Sequence, residues 1–235
     1  MNLARGLPEI AFREPREDRL YIACAGPSLR DTAEELRGKA HIWALNGAHD
    51  YLISRGIVPS AGVAQAPEDG VLNYFQKVQP GTVYAFASIT NPALVDRVLA
   101  AGGQVGFWHC HCPAEWGVDY GDTPNGNLIC GGGTIGLRAL DLAYACGYRE
   151  VHVLGFDACC SPDLRIGPDL VIYEDRVKDI RPYWINGRMF PALPSHARQV
   201  EDLHITLKPL TGLNITWYGD GLMQWAARGM NTDEV

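Results

Sequence analysis

Residues 19–37 read RLYIACAGPSLRDTAEELR. The apolar run from Leu20 to Ala25 predicts a buried strand, and a turn follows at Gly26-Pro27-Ser28 before a helical pattern with acidic residues in its first turns. Gly26 removes the side chain where the backbone must bend or approach a ligand. Pro27 suits the first turn of a helix, where its missing N–H is no loss. Ser28 or Asp31 can cap the helix amides. A strand that ends in a glycine turn and opens into a helix directs free N–H groups outward. The helix dipole adds partial positive charge there. The expectation is a phosphate or carboxylate site at the carboxyl edge of a sheet. An ordinary βα turn uses the same residues for geometry alone, so the reading rests on what the rest of the chain supplies.

The pattern repeats outward from that stretch. His41–Leu45 predicts a second strand with Asn46-Gly47 at its carboxyl end, then a short helix over Ala48–Arg55 stopped by Gly56. Ala61–Gln65 is a third strand, followed by turn chemistry at Pro67–Gly70 and a helix over Val71–Val78. Thr82–Ala87 and Gln104–Trp108 are further strands on either side of a helix over Asn91–Ala101. A loop-like segment from His109 to Cys130 holds Pro113, Gly117, Gly121, Pro124 and Gly126. Gly131-Gly132-Gly133-Thr134 then precedes a helix over Ile135–Cys146, and Val151–Phe156 is a central strand ending in Asp157. Residues 158–198 read as a second irregular region; a helix over Ala197–Leu210, a strand over Ile215–Tyr218 and a helix over Leu222–Arg228 close the chain. Strands alternating with helices imply an α/β, Rossmann-like, doubly wound and mostly parallel sheet with two long loop insertions. Residues 1–18 are expected to form an irregular N-terminal arm, and 19–235 a single nucleotide-binding domain.

Composition bounds the function. The chain has 235 residues, 47% of them hydrophobic and 20% charged, enough for a substantial core. No run approaches the roughly 18 apolar residues a membrane span needs, and the charged, proline-broken start, MNLARGLPEIAFREPRED, has no apolar signal core. A cytoplasmic location is the expectation. The net charge is −7, and the 20 Lys and Arg are scattered, which argues against a nucleic-acid surface. Seven cysteines, an odd number, argue against a disulfide framework.

Five constellations can carry chemistry. The turns at Gly26, Pro27 and Ser28 and at Gly131, Gly132, Gly133 and Thr134 both precede helices; if they flank one crevice, they can hold a diphosphate or a nucleotide. Asn46, followed by Gly47, has an amide suited to ribose hydroxyls or a base edge, or serves only as a turn. Asp157 can hold Mg²⁺ bound to phosphates, position a hydroxyl nucleophile, or cap the next turn. His109-Cys110-His111-Cys112 with Glu115 alternates metal-ligating residues, and Cys159-Cys160 and His196 can add to it, but the spacing matches no zinc pattern and no metal ligand is assigned. His196, at a helix start, suits a general base at a pocket mouth or stands as a surface residue near a cap. Trp108, Trp116, Tyr173, Tyr183 and Trp184 sit in or beside the irregular segments, to stack on a base or sugar or to anchor loops.

Three blocks, CAGPSL (24–29), ALNGAHDYLISRGIVPS (44–60) and GGGTIGLRALDLAYACGYREVHVLGFD (131–157), resemble the MptE-like domain family. That family includes archaeal 6-hydroxymethyl-dihydropterin diphosphokinases, and related domains occur in motility accessory proteins that modify flagellin. More distantly, the same blocks are similar to Campylobacter-type bacterial sialyltransferases. The resemblance implies a Rossmann-like fold and a nucleotide or nucleotide-sugar ligand at Gly26, Pro27, Ser28, Asn46, Gly131 to Thr134 and Asp157. The place of His196 before a helix is similar to that of the sialyltransferase catalytic histidine. Where the diphosphokinases carry an acidic D-x-D-G-like segment, this chain has Ala64 to Gly70; where the sialyltransferases have Asn and Tyr, it has Ala25 and Cys159. The leading expectation is a nucleotide-dependent transferase, ATP as diphosphoryl donor with Mg²⁺ on the phosphates and a small hydroxymethyl acceptor. One alternative is a glycosyltransferase that uses a nucleotide sugar on a bacterial surface glycan. The other is a non-catalytic nucleotide-binding module. Homo-oligomerisation is left open.

Overall fold

The computed structural model describes residues 2–112, 128–170 and 174–229. Pro113, Glu115, Trp116, Gly117, Gly121, Pro124, Gly126 and Tyr173 lie outside the described residues. The strands are β1 Arg16–Ala23, β2 Ile42–Leu45, β3 Ala61–Ala64, β4 Val83–Ala87, β5 Gln104–Trp108, β6 Tyr148–Leu154, β7 Arg181–Ile185, β8 Arg188–Ala192 and β9 Asn214–Trp217. The helices are α1 Leu29–Thr32, α2 Ala48–Ser54, α3 Pro92–Ala100, α4 Ile135–Ala145, α5 Glu174–Val177, α6 Pro194–Leu207 and α7 Leu222–Gly229. Seven strands form one sheet in the order β5-β4-β3-β2-β1-β6-β9, and every neighbouring pair is parallel. The architecture is Rossmann-like α/β, as the alternation of strands and helices predicts.

The central strands read as unbroken apolar runs because both faces are covered. Leu20 and Ile22 of β1 pack on one side with Leu137, Leu140 and Leu142 of α4. Tyr21 and Ala23 pack on the other with Leu29, Leu36 and Leu52. The order runs outward from β1 to β5, then returns to place β6 on the opposite side of β1. That reversal opens a crevice at the carboxyl ends of β1 and β6, where ligands of open α/β sheets bind. Two glycines make the crossing tight. A Cβ on Gly26 would lie 2.5 Å from Asp157 Oδ2 and collide with the Gly155 carbonyl; one on Gly155, at φ +67°, would collide with the Cys24 carbonyl. Backbone atoms cannot step aside as a side chain can. Gly26→Ala is therefore expected to cost about 3 kcal/mol, read as a lower midpoint in urea unfolding with unchanged slope.

Four local expectations differ from the structure. Val71–Val78 is not a helix: a 3₁₀ turn spans Asp69–Asn73, and Phe75 takes φ +57° to bury its ring against His49 and Phe86. The second irregular region contains a hairpin, β7 with β8, turned by Asn186-Gly187 at φ +47° and +77°. Such a pair is the preferred residue choice for a two-residue hairpin turn. Helix α6 begins at Pro194 rather than Ala197, with proline in its first turn. The N-terminal arm is not irregular throughout. Residues 16–18 belong to β1, and Phe107 N–H donates to Pro8 O while Ile10 N–H donates to Phe107 O, so residues 8–10 cover the edge of β5. Among the described residues no helix is long and apolar enough to cross a membrane.

Candidate functional site

The turn after β1 is held from below rather than left open. Gly26 N–H donates to the Gly155 carbonyl at 2.7 Å, Pro27 has no N–H, and Ser28 N–H donates to Asp157 Oδ2 at 2.7 Å. The expectation that this turn presents free amides is corrected: its donors point into the protein. Asp157 is 3% exposed and accepts two further bonds on Oδ1, from Ser28 Oγ at 2.6 Å and Gln224 Nε2 at 3.0 Å. Burial pushes its carboxyl above the ordinary value, while the bonds from Ser28 and Gln224 oppose that shift. Asp157 thus ties the β1 turn to the carboxyl end of β6 and to α7, a role that differs from the cap of its own following turn read from sequence.

Above this knot lies a cavity of about 250 Å³. Gly26, Pro27, Asn46, Gly47, Thr134 and His196 line it, from the ends of β1 and β2 and the starts of α4 and α6. Past Pro27 and Cys159 it adjoins a second hollow of about 440 Å³ beside β8. Asn46 adopts φ +48°, its carbonyl accepts from His49 N–H, and its side-chain Oδ1 is buried without a hydrogen-bond partner. An orphaned amide oxygen at a cavity wall is a place for a ligand hydroxyl or base N–H. Thr134 caps α4, its Oγ1 accepting from Leu137 N–H at 3.4 Å, and the next two residues, Ile135 and Gly136, line the cavity in the first turn, where a helix offers its amides no partner of its own. Asn46→Gly keeps the left-handed backbone and removes only the amide. The melting temperature of the protein is expected to stay nearly unchanged, since the amide oxygen it removes has no partner.

His196 stands in the first turn of α6, half-buried, and lines the same cavity with Gln199 one turn further on. Burial, and secondarily the Arg176 charge, lowers its pKa below the ordinary 6.5, so the imidazole is neutral and a proton acceptor near neutral pH.

Not every predicted residue converges here. Gly131, Gly132 and Gly133 line a separate cavity with Glu68, Arg138 and Asp202, so of the triple-glycine turn only Thr134 reaches the first one. In the His109–Cys112 segment, His109 Nδ1 pairs with Ser88 Oγ at 3.0 Å and its Nε2 lies 3.3 Å from Glu9 Oε1. Among the described residues no three His, Cys, Asp or Glu side chains are grouped to hold a metal. The Trp108 indole donates to the Ala85 carbonyl within the core, an anchoring role. Tyr74, Gln199 and Gln224 were not legible as site residues. Tyr74 sits where a helix was expected, and its ring lies 3.2 Å from where a Gly47 Cβ would stand. The turn signal of Pro67–Gly70 was the hint that the chain there folds back over the site.

Residues 3–163 match a family model described as 6-hydroxymethylpterin diphosphokinase MptE-like. Among solved structures, the chain is similar to a MAf glycosyltransferase from Magnetospirillum magneticum AMB-1, at 16% identity and a TM-score of 0.69, over 93% of this chain and 34% of that one. The chain spans about a third of the length of that protein, and at this identity the likeness is one of fold. A search of curated proteins finds no match.

Proposed function

The chain belongs to the MptE-like family, and from that premise we propose that it is a nucleotide-dependent transferase acting on an acceptor hydroxyl, with a nucleotide sugar as the donor its cavity suits best. One observation carries this: His196, half-buried and with its pKa lowered by burial, lines one cavity together with Asn46, whose buried amide oxygen has no partner, and with Ile135 and Gly136 at the start of α4. Asn46 takes a ribose hydroxyl or base edge. The Ile135 and Gly136 amides take the nucleotide phosphate. His196 accepts the acceptor's proton as the acceptor oxygen bonds to the sugar's anomeric carbon; the carbon–phosphate oxygen bond breaks, and the nucleotide phosphate leaves with the electron pair.

The family description favours a second reading, diphosphoryl transfer from ATP. A triphosphate needs counter-charge, usually Mg²⁺ on carboxylates together with a cation. The described wall of the first cavity holds no Lys or Arg, and its one carboxylate, Asp157, is taken up by Ser28 and Gln224. Those residues do not fit a Mg²⁺–triphosphate within the first cavity, and Arg30, Arg165 and Arg188 line only the adjoining hollow, which ranks this reading second. The test incubates the protein with cytidine-, uridine- and guanosine-linked sugars, and with ATP, each with Mg²⁺ or with chelator. Release of nucleotide from a sugar donor in chelator supports the proposal. AMP formed from ATP only with Mg²⁺ replaces it with the second reading. Binding without turnover of any donor leaves a non-catalytic nucleotide-binding module.

A further inference from the structure

Arg138 lies in the first turn of α4 and is 7% exposed. Its Nε donates to the Gly132 carbonyl at 3.0 Å, and among the described residues no carboxylate forms an ion pair with its guanidinium. A cation in that place is disfavoured twice: burial strips its hydration, and the helix start already carries partial positive charge. An anion relieves both costs, and the planar fork of a guanidinium matches an oxyanion with two parallel hydrogen bonds. Arg138 lines a cavity of about 680 Å³ with Gly131, Gly132, Gly133, Glu68 and Asp202. Gln65, on the same wall, has its Oε1 buried without a partner.

We propose that this cavity is a second binding site, which takes a carboxylate or phosphate on the Arg138 guanidinium. Glu68, Asp202 and Gln65 supply hydrogen-bond acceptors around it, so the remainder of the ligand presents hydroxyls or amines. An acidic sugar or another hydroxylated small acid has that chemistry. The 131–134 turn separates this site from the first cavity, Thr134 lining one and the three glycines the other. That the ligand is the transferase's acceptor rests on the function proposed above; the anion site does not.

The test follows the Arg138 Nε–H resonance of the ¹⁵N-labelled full chain, assigned through the wild-type backbone spectrum and checked by its disappearance in Arg138→Lys. Inorganic phosphate and acetate are titrated separately. A saturable shift with a midpoint on the order of 1–10 mM for at least one anion is expected, and it is expected to persist in Asn46→Gly. A shift with phosphate alone identifies a phosphate-bearing ligand; a shift with acetate identifies a carboxylate. An Arg138 resonance unmoved by either anion overturns the proposal. So does a shift abolished in Asn46→Gly, which would place the anion in the first cavity. Because the wild-type spectrum carries the readout, a variant that fails to fold leaves the test intact.

Discussion

Asp157→Ala is expected to lower the melting temperature by about 10 °C and to abolish nucleotide-dependent stabilisation. The substitution leaves the Ser28 N–H, the Ser28 hydroxyl and the Gln224 amide without their acceptor, with Asp157 and Gln224 buried and Ser28 half-buried. A buried donor left unpaired costs roughly 1–3 kcal/mol, so about 4 kcal/mol is a moderate total for three. For a domain of this size that corresponds to roughly 2–4 °C per kcal/mol. Binding fails with it because the β1 turn, which forms the cavity wall, is fixed by those same bonds. Asp157→Asn separates positioning from chemistry. It retains the shape and one acceptor oxygen, so the protein is expected to fold with a smaller loss. Turnover of the folded fraction is expected within about tenfold of wild type, whereas a catalytic role would cost about 10²-fold or more.

The second large effect belongs to His196. His196→Ala is expected to lower turnover by about 10²–10⁴-fold, the usual range for a lost general base, while nucleotide affinity is retained. The wild-type rate carries its own sign. The base form is the neutral imidazole, whose pKa is lowered below 6.5 by burial and by Arg176. The rate is therefore flat at neutral pH and falls as pH drops through that lowered pKa. In His196→Ala the acid limb disappears. An acid limb that persists in the variant would assign the base elsewhere. The same lowered pKa means the unfolded chain binds the extra proton first, so this residue also costs stability as pH falls below 6.5.

Much of this arrangement was legible in the residues. Local patterns place β5 and α4, because apolar periodicity, Thr134 as cap and Gly147 as stop all agree. A crevice at the carboxyl edge of the sheet was legible from the alternation of strands and helices, whereas its place between β1 and β6 comes from the strand order that only the fold shows. The hairpin β7–β8 was legible in principle from Asn186-Gly187, but Pro182 and Pro191 within its strands mask the alternation. What sequence could not supply are meetings between distant residues. Ser28 and Asp157 are 129 positions apart, and Asp157 and Gln224 are 67 apart. Without those contacts, Asp157 reads as a free carboxylate for metal or acceptor, and the β1 turn as an open anion cradle. Packing reverses both, because Asp157 is bonded by Ser28 and Gln224 and the donors of the turn point inward. The same holds for Arg138: in sequence it is one charge on an amphipathic helix, and only the fold shows it buried, bonded to the Gly132 carbonyl and, among the described residues, without an ion pair.

The measurement that bears most directly on the central claim is calorimetric titration of cytidine, uridine, guanosine and adenosine nucleotides, in chelator, into wild type, Asn46→Gly and His196→Ala. At least one nucleotide is expected to bind wild type, Asn46→Gly to weaken that binding about tenfold, and His196→Ala to leave it unchanged. No binding by any nucleotide, or equal affinity in wild type and Asn46→Gly, would contradict the placement of a nucleotide in this cavity.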